Sequence, residues 1–152
     1  MPDSENKTEQ LYAIYLSLAS GLISDSEYRE KLHALFLDDN SQDPVFLELE
    51  WASADREKTL GILSANFYGK EKRMDFDEVG KLLFREVEKQ VSNDPDKSEE
   101  ISQKLYQIWR MLPEHIAGKE PFIRLCSIND YWSWGGEDEG IEALRQLTRF
   151  YD

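Results

Sequence analysis

Apolar residues recur along most of this chain at a spacing of three or four residues, which predicts a series of α-helices. In the first such segment Leu11, Ile14 and Leu18 fall on one side, while Leu16 and Ala19 fall on another. A helix that is apolar over most of its circumference is typical of the centre of a domain. We therefore expect the first helix to be largely buried.

Helix start and stop signals separate these segments. Gly21 is predicted to end the first helix. Ser24 and Glu27 form a capping box, in which each side chain accepts a hydrogen bond from the other residue's amide. Pro44 suits the first position of a helix, and Asp75 repeats the capping pattern. Short links between such helices predict antiparallel neighbours.

The fold class that follows is all-α. No segment alternates apolar and polar residues between hairpin turns, and only residues 122–128 offer room for a short strand. A chain of 152 residues can close one core. We predict a polar tail over residues 1–8 and a single domain over 9–152. The domain would be a bundle or short array of about six to eight helices.

Residues 127–140 break the periodic pattern. They read Ser-Ile-Asn-Asp-Tyr-Trp-Ser-Trp-Gly-Gly-Glu-Asp-Glu-Gly and hold two of the four tryptophans. We predict a non-helical segment in which Tyr131 and one tryptophan pack inward. The other ring of the pair Trp132 and Trp134 would be exposed, and exposed tryptophans are common anchors in protein interfaces.

The charge of the chain favours a protein partner. Its net charge is −13, and residues 1–68 carry 13 acidic and 5 basic side chains, a net charge of −8. Residues 127–152 carry 6 acidic and 2 basic side chains, a net charge of −4. Such a surface repels nucleic-acid phosphates and anionic lipids and attracts basic proteins. We predict no nucleic-acid or membrane partner and leave the oligomeric state open.

The predicted partner-binding residues combine the aromatic segment with nearby acids and with the acidic end of the second helix. They are Asp38, Asp39, Asp130, Tyr131, Trp132, Trp134, Glu137, Asp138 and Glu139. Part of this acidity has a structural explanation, because acids favour the positive end of a helix dipole and a helix is predicted to follow.

Catalytic and metal-binding patterns are incomplete. Glu30 and His33 have the spacing of half a di-iron site, but no second pair exists. A calcium loop counted from Asp39 places Pro44 where glycine is required. We therefore predict no metal site, no cofactor and no catalytic residue. The single cysteine, Cys126, excludes an internal disulfide, and together with the lack of a basic leader this predicts a cytoplasmic protein.

The short, acidic, helical build resembles the bacterial immunity proteins that are found beside polymorphic or contact-dependent toxins. The resemblance rests on the overall composition and on helix links such as residues 21–28 and Asp43-Pro44. It implies a protein that binds and blocks a basic toxin, and it assigns no individual residue. Nuclease toxins need basic active sites, which carboxylates can cover.

Two other hypotheses remain open. A helical adaptor or assembly subunit would hold its partner through apolar helix faces, and its binding would survive high salt. A carboxylate-dependent enzyme would use a helical cleft, with Glu30, His33, Glu48 and Glu50 as the first candidates.

Overall fold

The structure, a computed structural model, describes residues 7–38 and 44–152. These residues form nine α-helices and three short 3-10 helices, and none of them lies in a strand. The all-α prediction is confirmed. The helices outnumber the predicted six to eight because Glu114–Ala117 and Asp130–Trp134 have only four and five residues. Helices of that length show no periodicity in a sequence.

The chain divides into two compact units, Met1–Val79 and Gly80–Asp152. The described part of the first unit contains α1 (Lys7–Ser20), α2 (Asp25–Asp38), α3 (Pro44–Trp51), α4 (Arg56–Phe67) and a 3-10 turn, Glu71–Arg73. Helix α5 (Phe76–Asn93) begins in the first unit and continues in the second. The second unit adds α6 (Ser98–Met111), α7 (Glu114–Ala117), α8 (Asp130–Trp134), α9 (Gly136–Thr148) and the 3-10 helices Pro95–Lys97 and Phe122–Cys126.

Helix α1 is the central helix of the first unit, as its all-round apolar pattern predicts. It contacts both α2 and α4, and Leu16 is completely buried. The Tyr12 ring packs edge-on against Phe67, with 4.9 Å between the ring centroids. Burial raises the pKa of the Tyr12 hydroxyl above its ordinary range, and the Glu71 carboxylate adds to this effect.

The first turn of α1 includes residues that the sequence assigned to the tail. The Lys7 ammonium donates a hydrogen bond to the carbonyl of Leu35 at 3.2 Å. The Glu9 carboxylate accepts one from the amide of Asp75 at 3.1 Å. These contacts with distant segments keep Lys7 and Glu9 buried. From the sequence alone, charged residues at the end of a helix are expected to be exposed to solvent. Residues 1–6 lie outside the described residues.

Helix boundaries in the first unit follow the predicted signals. The amide of Ser24 donates to Glu27 at 3.0 Å, and the amide of Glu27 donates to the Ser24 hydroxyl at 3.1 Å. The capping box is therefore confirmed. Gly21 follows the end of α1 with φ of 82°, a left-handed conformation that favours glycine. Helix α3 begins at Pro44, and the Asp75 carboxylate accepts amide hydrogen bonds at the start of α5.

Helix α6 is central to the second unit. It contacts α9 and the 3-10 helix Phe122–Cys126. The predicted option of a strand over 122–128 is wrong, because Phe122 and Leu125, three residues apart, both point into the core. A spacing of three matches the repeat of a 3-10 helix and not the alternation of a strand. Among the described residues, no helix is both long and apolar enough to cross a membrane.

The capping box gives a stability prediction. Replacing Ser24 with alanine should lower the free energy of unfolding by about 1 kcal/mol, because the amide of Glu27 loses its partner. Ser26, exposed in the first turn of the same helix, is the matched control. Urea unfolding should show little change or a slight gain for Ser26→Ala. Equal losses for both variants would contradict the capping role.

Candidate functional site

Residues 127–140 are mostly helical, so the prediction of a non-helical segment is wrong. Helix α8 spans 130–134, and α9 begins directly afterwards at Gly136, whose φ is 77°. The amide of Gly135 donates to the carbonyl of Tyr131 at 2.9 Å and closes the single turn of α8. So short a helix is not stable alone, and its contacts with α9 hold it in place.

Trp132 is the residue that ties α8 to the rest of the second unit. Its indole N–H donates a hydrogen bond to the hydroxyl of Ser102 on α6 at 2.9 Å. Ser102 is fully buried, and its own hydroxyl donates to the carbonyl of Ser98 at 3.0 Å. The half-buried indole N–H of Trp132 thus has a buried hydroxyl as its partner, in line with the rule that polar groups inside a protein are hydrogen-bonded.

Gly140 makes room for the Trp132 ring. The ring lies so close to the backbone of α9 that a Cβ added at Gly140 would overlap its atoms. Gly140 is buried and has helical geometry, so its lack of a side chain serves this close approach. Trp132 therefore packs between α6 and α9, the inward role that the sequence assigned to one of the two tryptophans.

Trp134 has the opposite environment. Two residues along an α-helix correspond to a rotation of roughly 200°, and the Trp134 side chain is 87% exposed. Tyr131 precedes it by three residues, lies on the same side of α8 and is 48% exposed. Tyr131 was expected to turn inward, and this is wrong, because its position on the helix differs from that of Trp132. The outward face of α8 is therefore a pair of exposed aromatic rings.

Exposed acids surround this pair in the chain. Asp130 begins α8, and Glu137, Asp138 and Glu139 form the first turn of α9. All four residues are exposed. The Glu139 side chain folds against Gly135, where an added Cβ would overlap its carboxylate. Glu139 therefore has a local contact, while the other acids point to solvent near a helix N-terminus that their charge stabilises.

The remaining predicted acids lie apart from these helices in the chain. Asp38 is the last residue of α2, and both its side chain and Asp39 fall outside the described part of the structure. Asp130, Tyr131 and Trp134 are exposed on α8, and Glu137 and Asp138 are exposed in the first turn of α9, which follows directly. We call the outward residues Tyr131 and Trp134, with Asp130, Glu137 and Asp138, the aromatic–acidic surface.

The residues considered for metal or acid–base chemistry on α2 are Glu30 and His33, and both are exposed. Within 7–38 and 44–152, no group of three or more His, Cys, Asp or Glu side chains is placed to hold a metal ion. The Cys126 thiol is half-buried and donates to the carbonyl of Ile123 at 3.0 Å. The calcium loop that was considered and rejected on the sequence begins at Asp39, outside the described residues.

Sequence reasoning missed Ser102 and Gly140, the two residues that decide which tryptophan turns inward. Ser102 lies among polar residues of α6 and carries no distinguishing signal. Gly140 does carry one, because an isolated glycine inside a helical pattern often marks a close packing contact. The glycine therefore indicates that another residue packs closely on this helix, but it does not indicate that the residue is Trp132.

A matched pair of glycine substitutions tests the Trp132 contact. Gly140→Ala should lower the free energy of unfolding by about 1–3 kcal/mol, because the new methyl group overlaps the indole. Gly61 lies inside α4 with no atom within 4 Å of an added Cβ, so Gly61→Ala should raise stability by about 1 kcal/mol. Thermal unfolding measures both. A stabilised Gly140→Ala variant would show that the ring is not held there.

Comparisons with protein-family models, with curated proteins and with solved structures gave no match. The proposed function is therefore based on the side chains of α8 and α9.

Proposed function

We propose that this protein is a non-enzymatic binding protein of the immunity type, which neutralises a basic bacterial toxin by covering it with the aromatic–acidic surface. One observation carries the proposal. Trp134 is 87% exposed on a helix that Trp132 holds in place. A tryptophan in water has a strong tendency to be buried by a partner, and tryptophan dominates the energetics of many interfaces.

The rigidity of α8 supports a binding role. Because Trp132 is hydrogen-bonded to Ser102 and packed on Gly140, the helix that carries the outward rings is positioned before any partner arrives. A preorganised surface loses less conformational entropy on binding than a mobile one. The same arrangement separates the two roles, since the inward ring stabilises the fold and the outward ring is free to contact a partner.

Electrostatics supports a basic partner. The carboxylates of Asp130, Glu137 and Asp138 are exposed and lie close to the two rings in the chain, and the whole chain has a net charge of −13. Charges at the edge of an interface chiefly accelerate association, and they do so less as salt screens them. A toxin that acts on nucleic acid needs a basic cleft for phosphate, and the carboxylates of this surface are suited to occupy such a cleft.

The adaptor hypothesis predicts a different salt response. Association through apolar faces should be nearly independent of ionic strength, whereas association of the proposed kind should slow markedly as salt rises. The enzyme hypothesis requires acid and histidine groups in one cleft. A groove between α3 and α4 contains Glu48, and a cleft in the second unit contains Glu88, but neither contains a histidine.

Substitution of the two tryptophans tests the proposal. With the product of the adjacent gene as partner, Trp134→Ala should weaken binding by roughly 2 kcal/mol or more. Its free energy of unfolding should change by less than about 0.5 kcal/mol, because the ring is exposed. Calorimetric titration and urea unfolding measure the two quantities, and co-expression shows whether the variant still protects growth.

Trp132→Ala is the matched control, and we expect it to lower stability far more than Trp134→Ala does. Its loss of packing and of the Ser102 hydrogen bond should lower the free energy of unfolding by about 3 kcal/mol. The proposal fails if an adjacent toxin binds Trp134→Ala as tightly as the wild type. It also fails if the adjacent gene encodes no toxic protein and the purified chain has no basic partner.

A further inference from the structure

The outward face of α3 in the first unit is apolar although it faces solvent. Trp51 is 78% exposed and Leu47 is 47% exposed. The opposite face of the same helix is buried through Phe46 and Leu49. A short helix that is apolar on both faces is unusual, because an outward face without a partner normally carries polar residues.

The outward apolar residues form a continuous stripe. At roughly 100° per residue, Pro44, Leu47 and Trp51 fall within one narrow sector of α3. Glu48 and Glu50 fall on either side of that sector, and both are exposed. The face is therefore an apolar stripe with a carboxylate along each edge.

A shallow groove between α3 and α4 adjoins the stripe at Pro44 and Glu48. Its lining has three polar members, Glu48, Lys58 and Asn66. The other lining residues are apolar or small, namely Pro44, Val45, Gly61, Ile62 and Ala65. Gly61 leaves the α4 side of the groove open, since no atom lies within 4 Å of an added Cβ. We call the stripe and the groove together the α3 face.

Charge decides among the occupants that an apolar face could take. Residues 1–68 have a net charge of −8, and Glu48 and Glu50 border the stripe itself. Anionic lipid headgroups would meet like charge there. A second copy docked symmetrically would place these carboxylates opposite each other, which also disfavours self-association. A segment with apolar side chains and flanking lysines or arginines can pack on the apolar stripe and pair with the carboxylates along its edges.

We propose that the α3 face is a second docking surface, which binds a basic amphipathic helix of a protein partner. Trp51 and Leu47 contact the apolar side of that helix, and Glu48 and Glu50 pair with its basic edges. This mode, an amphipathic helix laid on an apolar groove, recurs in protein recognition. The inference takes from the proposed function only the basic character of the partner, and it uses residues outside the aromatic–acidic surface.

A synthetic helix of leucine and lysine, patterned to be amphipathic, is the probe, and a scrambled peptide of the same composition is its control. Trp51→Ala should weaken binding of the patterned peptide about tenfold or more. Its urea unfolding should match the wild type, because the ring is exposed. Glu48→Lys should also weaken binding, whereas Glu30→Lys, an equal change of charge on α2, should have a smaller effect.

Each alternative occupant has its own result. If Trp134→Ala abolishes peptide binding and Trp51→Ala does not, the inference fails while the proposed function is supported. Equal binding of the scrambled peptide, or no binding of the patterned one, also overturns it. Trp51-dependent binding to vesicles with anionic lipid would identify a membrane surface instead. A Trp51-dependent dimer in sedimentation would identify a second copy as the occupant.

Discussion

The position of helix α8 in the second unit depends on the contact that Trp132 makes with Ser102 and Gly140. Helix α8 has five residues, too few for its own hydrogen bonds to hold it. The indole hydrogen bond to α6 and the close approach to α9 supply what the helix lacks. Because this contact fixes the rotation of α8, it also decides that Trp134 points to solvent. The structural role of Trp132 and the proposed binding role of Trp134 therefore both follow from one interaction.

Long amphipathic helices were predictable from the sequence because their apolar faces repeat over several turns. Helix α5 keeps Val79, Leu83 and Val87 buried on one face, as its pattern indicates. Capping boundaries were predictable for a similar reason, since Ser24 and Glu27 act on each other within one turn. Helix faces and capping boxes depend on residues that are close together in the chain, so the sequence alone reveals them.

The candidate site was only partly predictable. Exposed acids near Trp132 and Trp134 could be located from composition, but the environment of each ring depends on Ser102, 30 residues away in the chain. Helix α8 itself was missed because one turn shows no repeat. Buried Lys7 illustrates the same limit, because its position depends on the distant carbonyl of Leu35. The spacing of apolar residues along the chain does not reveal long-range contacts of this kind.

Both proposed surfaces pair an exposed tryptophan with nearby carboxylates. Trp134 lies beside the acidic first turn of α9, and Trp51 lies beside Glu48 and Glu50 on α3. In each case the exposed ring would provide the apolar contact area and the acids would select for a basic partner. The two surfaces use different helices, so substitutions in one leave the other intact.

Hydrogen exchange of the indole N–H groups tests the central claim most directly. Nuclear magnetic resonance resolves one indole signal for each tryptophan, and single Trp→Phe variants assign them. The account predicts slow exchange for Trp132, whose N–H is bonded to the buried Ser102, and fast exchange for the exposed Trp134. Fast exchange at Trp132, or protection at Trp134 in the isolated protein, would contradict it.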